Sequence, residues 1–309
     1  MDEKKVQLTD QELFSFVEFD RRKSEDTGYS DYSYWRSVLR SFAKNKFAVT
    51  LLVIMVLLVV FAFFANATAR FGIEDLNRND KLVSPNATFW FGTDSIGRDM
   101  WARTWYATTI SLEIASIVTF VCVIIGIVIG CIWGYVRATD RFFTEVYNII
   151  ANIPQTVYLI LLTYIMEPGM STLIISMCTT SWLALARNVR NLVFMIRDRE
   201  YNLASRCLGT PLYRMIVKNL IPYLVSVIIL RMALMIPQVI SLEVTLSYLG
   251  LGLPSTMPSL GALLSQGRTK FQDYPHLLIF PALIVSIITI SFYLAGNAFS
   301  DASDPRNHV

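Results

Sequence analysis

The residues best placed to do work lie between Ala186 and Pro222, a long basic segment punctuated as helix, turn, helix. Asp198-Arg199-Glu200-Tyr201-Asn202-Leu203-Ala204-Ser205-Arg206-Cys207-Leu208 has apolar positions at Leu203, Cys207 and Leu208, and Gly209 supplies a natural left-handed stop. Thr210-Pro211 reads as a restart, with Thr210 as the N-cap and Pro211 at the first helical position, where its missing N–H costs nothing. Ile221-Pro222 then marks entry into an apolar run. Such a segment breaks no bonds. A short helix held between two membrane-length runs is a lever that a soluble partner could push. Its arginines, Arg187, Arg190, Arg197, Arg199 and Arg206, serve either membrane topology or contact with that partner, since both favour arginine.

Bond-making chemistry lacks material. No glycine-rich phosphate loop ending in Lys-Ser/Thr occurs, nor His-Glu-x-x-His, nor Gly-x-Ser-x-Gly. The histidines are His276 and His308, too few for a histidine metal site or a histidine triad. Cys122, Cys131 and Cys178 sit in apolar runs and Cys207 in the basic segment, a spacing that suggests packing and neither disulfides nor metal. Net charge is only +3, so there is no bulk basic field for nucleic acid. Glu113, Glu145, Glu167 and Glu243 fall toward the ends of apolar runs, unlike the deep acidic relays of ATP-independent transporters. The chain is expected to be non-catalytic by itself.

The elements that must carry this lever are membrane spans. Hydrophobic residues make up 54% of the 309 and charged ones 17%, with mean hydropathy +0.47, against about 25% charged in soluble domains. Spanning a bilayer takes about 20 apolar residues of helix. Runs of that kind are Phe47–Ala65, Thr108–Tyr135, Phe142–Met166, Ser171–Ala186, Leu220–Leu246 and Leu277–Phe299. The fold class is therefore an all-α polytopic membrane protein of about six spans. Lysines and arginines flanking these runs divide nineteen to seven in favour of the side bearing both termini, which is thus cytoplasmic. Four segments follow: a cytoplasmic tail over 1–46, a first span and outer loop over 47–107, a core over 108–300 and a tail over 301–309. Trp35, Val38, Leu39 and Phe42 recur at helical spacing, predicting an interfacial helix just before the first span.

Arg231 lies inside the fifth run, where facing lipid costs at least about 2.5–3.5 kcal/mol. It must face water or protein, either lining a translocation cavity or holding a second subunit. Asp94, Arg98 and Asp99 precede the second run and read as a solvated turn or as a docking element.

At the basic segment the sequence resembles the inner-membrane permease subunits of ATP-binding-cassette importers, whose signature is Glu-Ala-Ala, three residues, Gly, nine residues, then Ile-x-Leu-Pro. Leu203-Ala204-Ser205 occupies the Glu-Ala-Ala positions, Gly209 the glycine and Asn219-Leu220-Ile221-Pro222 the close. Leu203 stands for Glu, Ser205 for Ala and Asn219 for Ile. Phe91-Gly92-Thr93-Asp94-Ser95-Ile96-Gly97-Arg98-Asp99, Leu246-Ser247-Tyr248-Leu249-Gly250-Leu251-Gly252 with Pro258-Ser259-Leu260-Gly261, and Asp301-Ala302-Ser303-Asp304-Pro305-Arg306 are similar to elements of the C-type permease subunit of oligopeptide and dipeptide importers.

The resemblance implies the type I importer permease fold with a cytoplasmic coupling helix, in a bacterial plasma membrane. It implies a homologous second permease, two cytoplasmic ATPases that carry the ATP and Mg sites, and an extracellular peptide-binding protein; no cofactor is implied in this chain. Glu200, Leu203, Ala204, Ser205, Arg206, Gly209, Thr210 and Pro211 would couple to an ATPase; Asp94, Arg98 and Asp99 would dock or shape the outer face; Arg231 would line the cavity. The cargo it implies is oligopeptides, with dipeptides, nickel complexes or another solute as alternatives.

Overall fold

A computed structural model describes residues 34–303 apart from 78, 168, 255 and 256. The tail before residue 34 and the Asp304-Pro305-Arg306 end of the closing element lie outside the described residues. The described elements are helical, with one isolated bridge between Thr93 and Asp99. In chain order they begin with α1 (Tyr34–Lys44), α2 (Lys46–Ala67), α3 (Met100–Tyr135) and α4 (Arg137–Ala151). Next come α5 (Gln155–Ile165), α6 (Met170–Cys178), α7 (Trp182–Ile196), α8 (Glu200–Cys207) and α9 (Leu212–Met215). A π-turn (Ile216–Leu220) leads into α10 (Ile221–Tyr248), followed by α11 (Leu260–Thr269) and α12 (His276–Ser303).

The amphipathic edge predicted before the first span turns toward the chain itself. Val38 and Phe42 are buried, and the Phe42 ring lies 5.8 Å from that of Phe299 on α12, while Leu39 stays exposed. Asn45 separates α1 from α2 and caps the latter, its Oδ1 accepting from the Ala48 N–H at 3.1 Å. Most of α2 then faces outward, as a lipid-exposed span should.

The second span begins eight residues earlier than the hydropathy suggested, at Met100 and not Thr108. Asp99 makes this possible by accepting from Ala102 N–H at 3.1 Å and Trp101 N–H at 3.4 Å. Arg103, which would argue against a span, is buried and places its Nε 3.7 Å from Asp94 Oδ2. Along this helix Gly126, Gly130 and Gly134 recur every fourth residue and face α7. A Cβ on Gly130 would sit 2.6 Å from the Ala186 carbonyl oxygen, and one on Gly134 2.7 Å from that of Arg190. Two helices this close have only dispersion and shape to hold them in lipid, which is why small residues line the seam.

The third and fourth predicted spans need correction. Phe142–Met166 is α4 and α5, bent by 79° at residues 152–154, because Pro154 removes an N–H and keeps Ile153 out of helical geometry. Ser171–Ala186 is two helices, α6 and α7, broken at residues 179–181, and α7 runs ten residues beyond Ala186. Among the described residues four helical segments are individually long and apolar enough to cross a bilayer, Lys46–Ala67, Met100–Tyr135, Leu212–Ser247 and His276–Ala302, and the count is five if the bent pair is taken as one span.

Candidate functional site

At one end of the bundle the chain leaves α7, forms α8, turns at Gly209 and re-enters through α9 and the π-turn. The end of α8 is tightly determined: Gly209 has φ +73°, its N–H donates to Arg206 O at 2.9 Å, and Thr210 N–H donates to Ser205 O at 3.1 Å. This pair of bonds is a Schellman close, with glycine at the left-handed position. Thr210 is thereby committed to the preceding helix. The expected Thr210 cap with Pro211 inside the helix is accordingly wrong by one residue: Pro211 itself is the N-cap, with ψ 151°, and α9 starts at Leu212.

Of the expected coupling residues, Glu200, Leu203, Ala204, Arg206, Gly209 and Pro211 lie exposed, while Ser205 and Thr210 are half-buried. Large apolar side chains lie exposed on α8 and just beyond its end. Leu208 is 85% exposed and Tyr213 76%, with Tyr201, Leu203 and Leu212 exposed beside them.

The arginines behind this face are largely used within the chain. Asp198 gathers three of them: Arg137 Nη2 and Arg197 Nε at 3.3 Å each, and Arg206 Nη1 at 3.6 Å. Arg197 also donates to Gly134 O at 2.8 Å, and Arg190 pairs with Asp140 at 2.6 Å. Arg187 stacks over the Tyr147 ring at 4.4 Å. These arginines thus link α7 and α8 to α4 and to the end of α3.

At the opposite end, Asp94 and Asp99 are both buried. Asp94 Oδ1 accepts from the N–H groups of Ile96 and Arg98 at 3.0 Å each, and Oδ2 from Arg98 Nε at 2.7 Å. Burial raises the Asp99 carboxyl above the ordinary carboxylate range, against the lowering effect of the Ala102 and Trp101 N–H groups. The carboxylates of this trio are engaged within the turn itself and at the start of α3. Ser95 and Ile96 form the exposed tip between them.

One residue was missed as more than a span-end charge. Glu243 is 1% exposed and accepts from Ser247 Oγ at 2.9 Å, Ser111 Oγ and Gly261 N–H at 3.4 Å each, and Ser259 Oγ. Four donors fill the acceptor capacity of one carboxylate and tie α10 to α3 and α11. A glutamate four residues before Ser247 was a visible signal; its link to Ser111, 132 residues away, was not.

Arg231 is exposed on α10, and its Nη2 donates to Asn188 Oδ1 on α7 at 3.3 Å. Most of the chain has known counterparts. Residues 126–309 match the family described as "Binding-protein-dependent transport system inner membrane component", and residues 33–85 match "N-terminal TM domain of oligopeptide transport permease C". The oligopeptide transport system permease protein AmiD of Streptococcus pneumoniae is 40% identical, over 97% of this chain and 98% of its own length. The corresponding protein OppC of Bacillus subtilis is 34% identical over 92% and 93%, and the dipeptide transport system permease protein DppC of Bacillus subtilis 32% over 96% and 93%.

Proposed function

The chain belongs to the family of binding-protein-dependent transport inner membrane components, and on that premise we propose that it forms half the membrane pathway of an ATP-driven oligopeptide importer. The cargo follows from the relatives' names, both for oligopeptides and, as the second reading, dipeptides. A homologous permease completes the pathway, two ATPases bind and hydrolyse ATP with Mg, and an extracellular peptide-binding protein delivers cargo. The observation that carries this reading is α8, a short helix with Tyr201 and Leu203 exposed on it and Leu208 exposed at its end, which closes in a left-handed glycine turn just before the long apolar segment Leu212–Ser247. Closure of the ATPases would displace Glu200–Cys207 and tilt α7 and α10 between inward-open and outward-open arrangements. Co-purification with two ATPase subunits and ATP-dependent peptide uptake by vesicles holding the whole assembly are the expected results. Uptake by vesicles holding this chain alone would overturn it.

The lysine and arginine bias supports placing both termini and α8 in the cytoplasm. Cys207, an exposed free thiol on α8, should then react with impermeant maleimide only after cells are permeabilised. Ser95→Cys, in a Cys207→Ser background, should react from outside intact cells; Thr93 is fully buried and unsuitable for this purpose. Labelling in the reverse pattern would invert the orientation and remove α8 from the ATPase side.

Arg231 fits the wall of a water-filled cavity, since its side chain stays exposed while reaching only a neutral amide. There it would attract peptide carboxylates. Across a watery gap a unit charge is worth about 1 kcal/mol, so Arg231→Gln should lower uptake of acidic relative to basic peptides about fivefold with assembly intact. Loss of the permease pair in detergent would instead assign Arg231 to the interface.

A further inference from the structure

The buried contact that seats α8 on the bundle is made by carboxamides, with the Arg206–Asp198 pair at its exposed edge. Its one buried residue is Asn202, which is fully buried. Asn202 Nδ2 donates to Ile196 O, the last carbonyl of α7, at 2.8 Å, and its Oδ1 accepts from Asn219 Nδ2 at 3.1 Å. Asn219 Nδ2 also reaches Ser205 Oγ at 3.2 Å, and Ser205 Oγ donates to Tyr201 O at 2.9 Å. Asn219 stands on the π-turn, where Ile221 N–H reaches back to Ile216 O. Such a widened turn inserts one extra residue and shifts the faces of the helix. Two of the three positions at which this chain departs from the importer signature, Ser205 and Asn219, are therefore partners of one another.

We propose that Asn202, Ser205 and Asn219 form a directional clasp that transmits displacement of α8 to both α7 and α10, with Asn219 as its positioning residue. The proposal rests on the coupling role assigned to α8 above. Apolar surfaces are held without direction and can slide, whereas a hydrogen bond weakens steeply as its angle closes. Breaking the clasp strands the Asn202 carbonyl in a buried site, so partial opening is disfavoured. The outward-facing Tyr201, Leu203 and Leu208 are left free to meet a partner while the clasp carries the motion inward.

The test uses the full importer, with its binding protein, in proteoliposomes and reads peptide uptake per ATP hydrolysed. Asn219→Ala should lower that ratio about five- to tenfold, the worth of a lost buried hydrogen bond, while hydrolysis per assembled complex continues. Ser205→Ala, which removes one branch and leaves Asn202 partnered, should lower it roughly twofold. The double variant should be no worse than Asn219→Ala, because both changes remove the same bond. An unchanged ratio in Asn219→Ala, or uptake and hydrolysis falling in equal proportion, would overturn the clasp. Should Asn219→Ala fail to assemble, an unchanged ratio in Ser205→Ala overturns it equally. Absence of ATP-driven uptake in the unaltered assembly would instead strike the coupling reading itself, and the clasp with it.

Discussion

Gly209→Val is expected to reduce peptide uptake at least about tenfold in a protein that still inserts and assembles, whereas Gly209→Asn should stay within about twofold. The glycine has φ +73°, and no atom lies within 4 Å of where its Cβ would be. Space is therefore not the obstacle. A left-handed conformation costs a side-chain-bearing residue about 1–2 kcal/mol, more for a β-branched one, and asparagine least. Valine would drive the backbone out of the Schellman close, release the bonds to Arg206 O and Ser205 O, and re-aim α8 relative to α9. Uptake and transport-stimulated ATP hydrolysis should fall together, since the lever is misplaced at its pivot. Normal uptake by an inserted Gly209→Val protein would refute the assignment. Equal loss in Gly209→Asn would show that a partner, and not the backbone, requires glycine there.

Gly130→Leu should prevent accumulation of assembled complex altogether. The obstacle here is space: a Cβ would meet the Ala186 carbonyl oxygen at 2.6 Å and Val189 Cβ at 2.7 Å. A backbone oxygen cannot swing aside as a side-chain tip can, so α7 must retreat along its length. Overpacking costs about 1–3 kcal/mol and occasionally more. Retreat would also disturb the neighbouring approaches at Gly126 and Gly134, and the Arg197–Gly134 hydrogen bond. The measurement is the yield of monodisperse permease pair in detergent, compared with Val128→Leu on the same helix, where Val128 is exposed and away from the α7 seam. Equal yields for the two variants would show that the α3–α7 seam tolerates separation.

How much of this was legible beforehand differs from one element to the next. The helices α2, α3, α10 and α12 announced themselves, because a helix that must satisfy its own backbone in lipid appears as a long apolar run. Hydropathy misjudged where α3 begins, since it counts Arg103 as a charge and cannot know that Asp94 stands 3.7 Å away. Pro154 was in plain sight, yet a window that averages hydropathy over residues 142–166 passes across the break. The glycine stripe at 126, 130 and 134 was equally visible and went unread, because glycine adds little to hydropathy while mattering greatly to approach distance.

The sequence by itself determined that this chain lives in a membrane and that Gly209 ends a helix. Each of these depends on local composition or on a turn a few residues long. Only the tertiary structure decided that Asp94 and Asp99 are buried, that Glu243 joins three helices, and that Asn219 hydrogen-bonds Asn202 of α8. Those outcomes turn on partners distant along the chain, as with Ser111 and Glu243, 132 residues apart. A side chain's charge is written in the sequence, but whether that charge meets water, lipid or a donor is set by what the fold brings beside it.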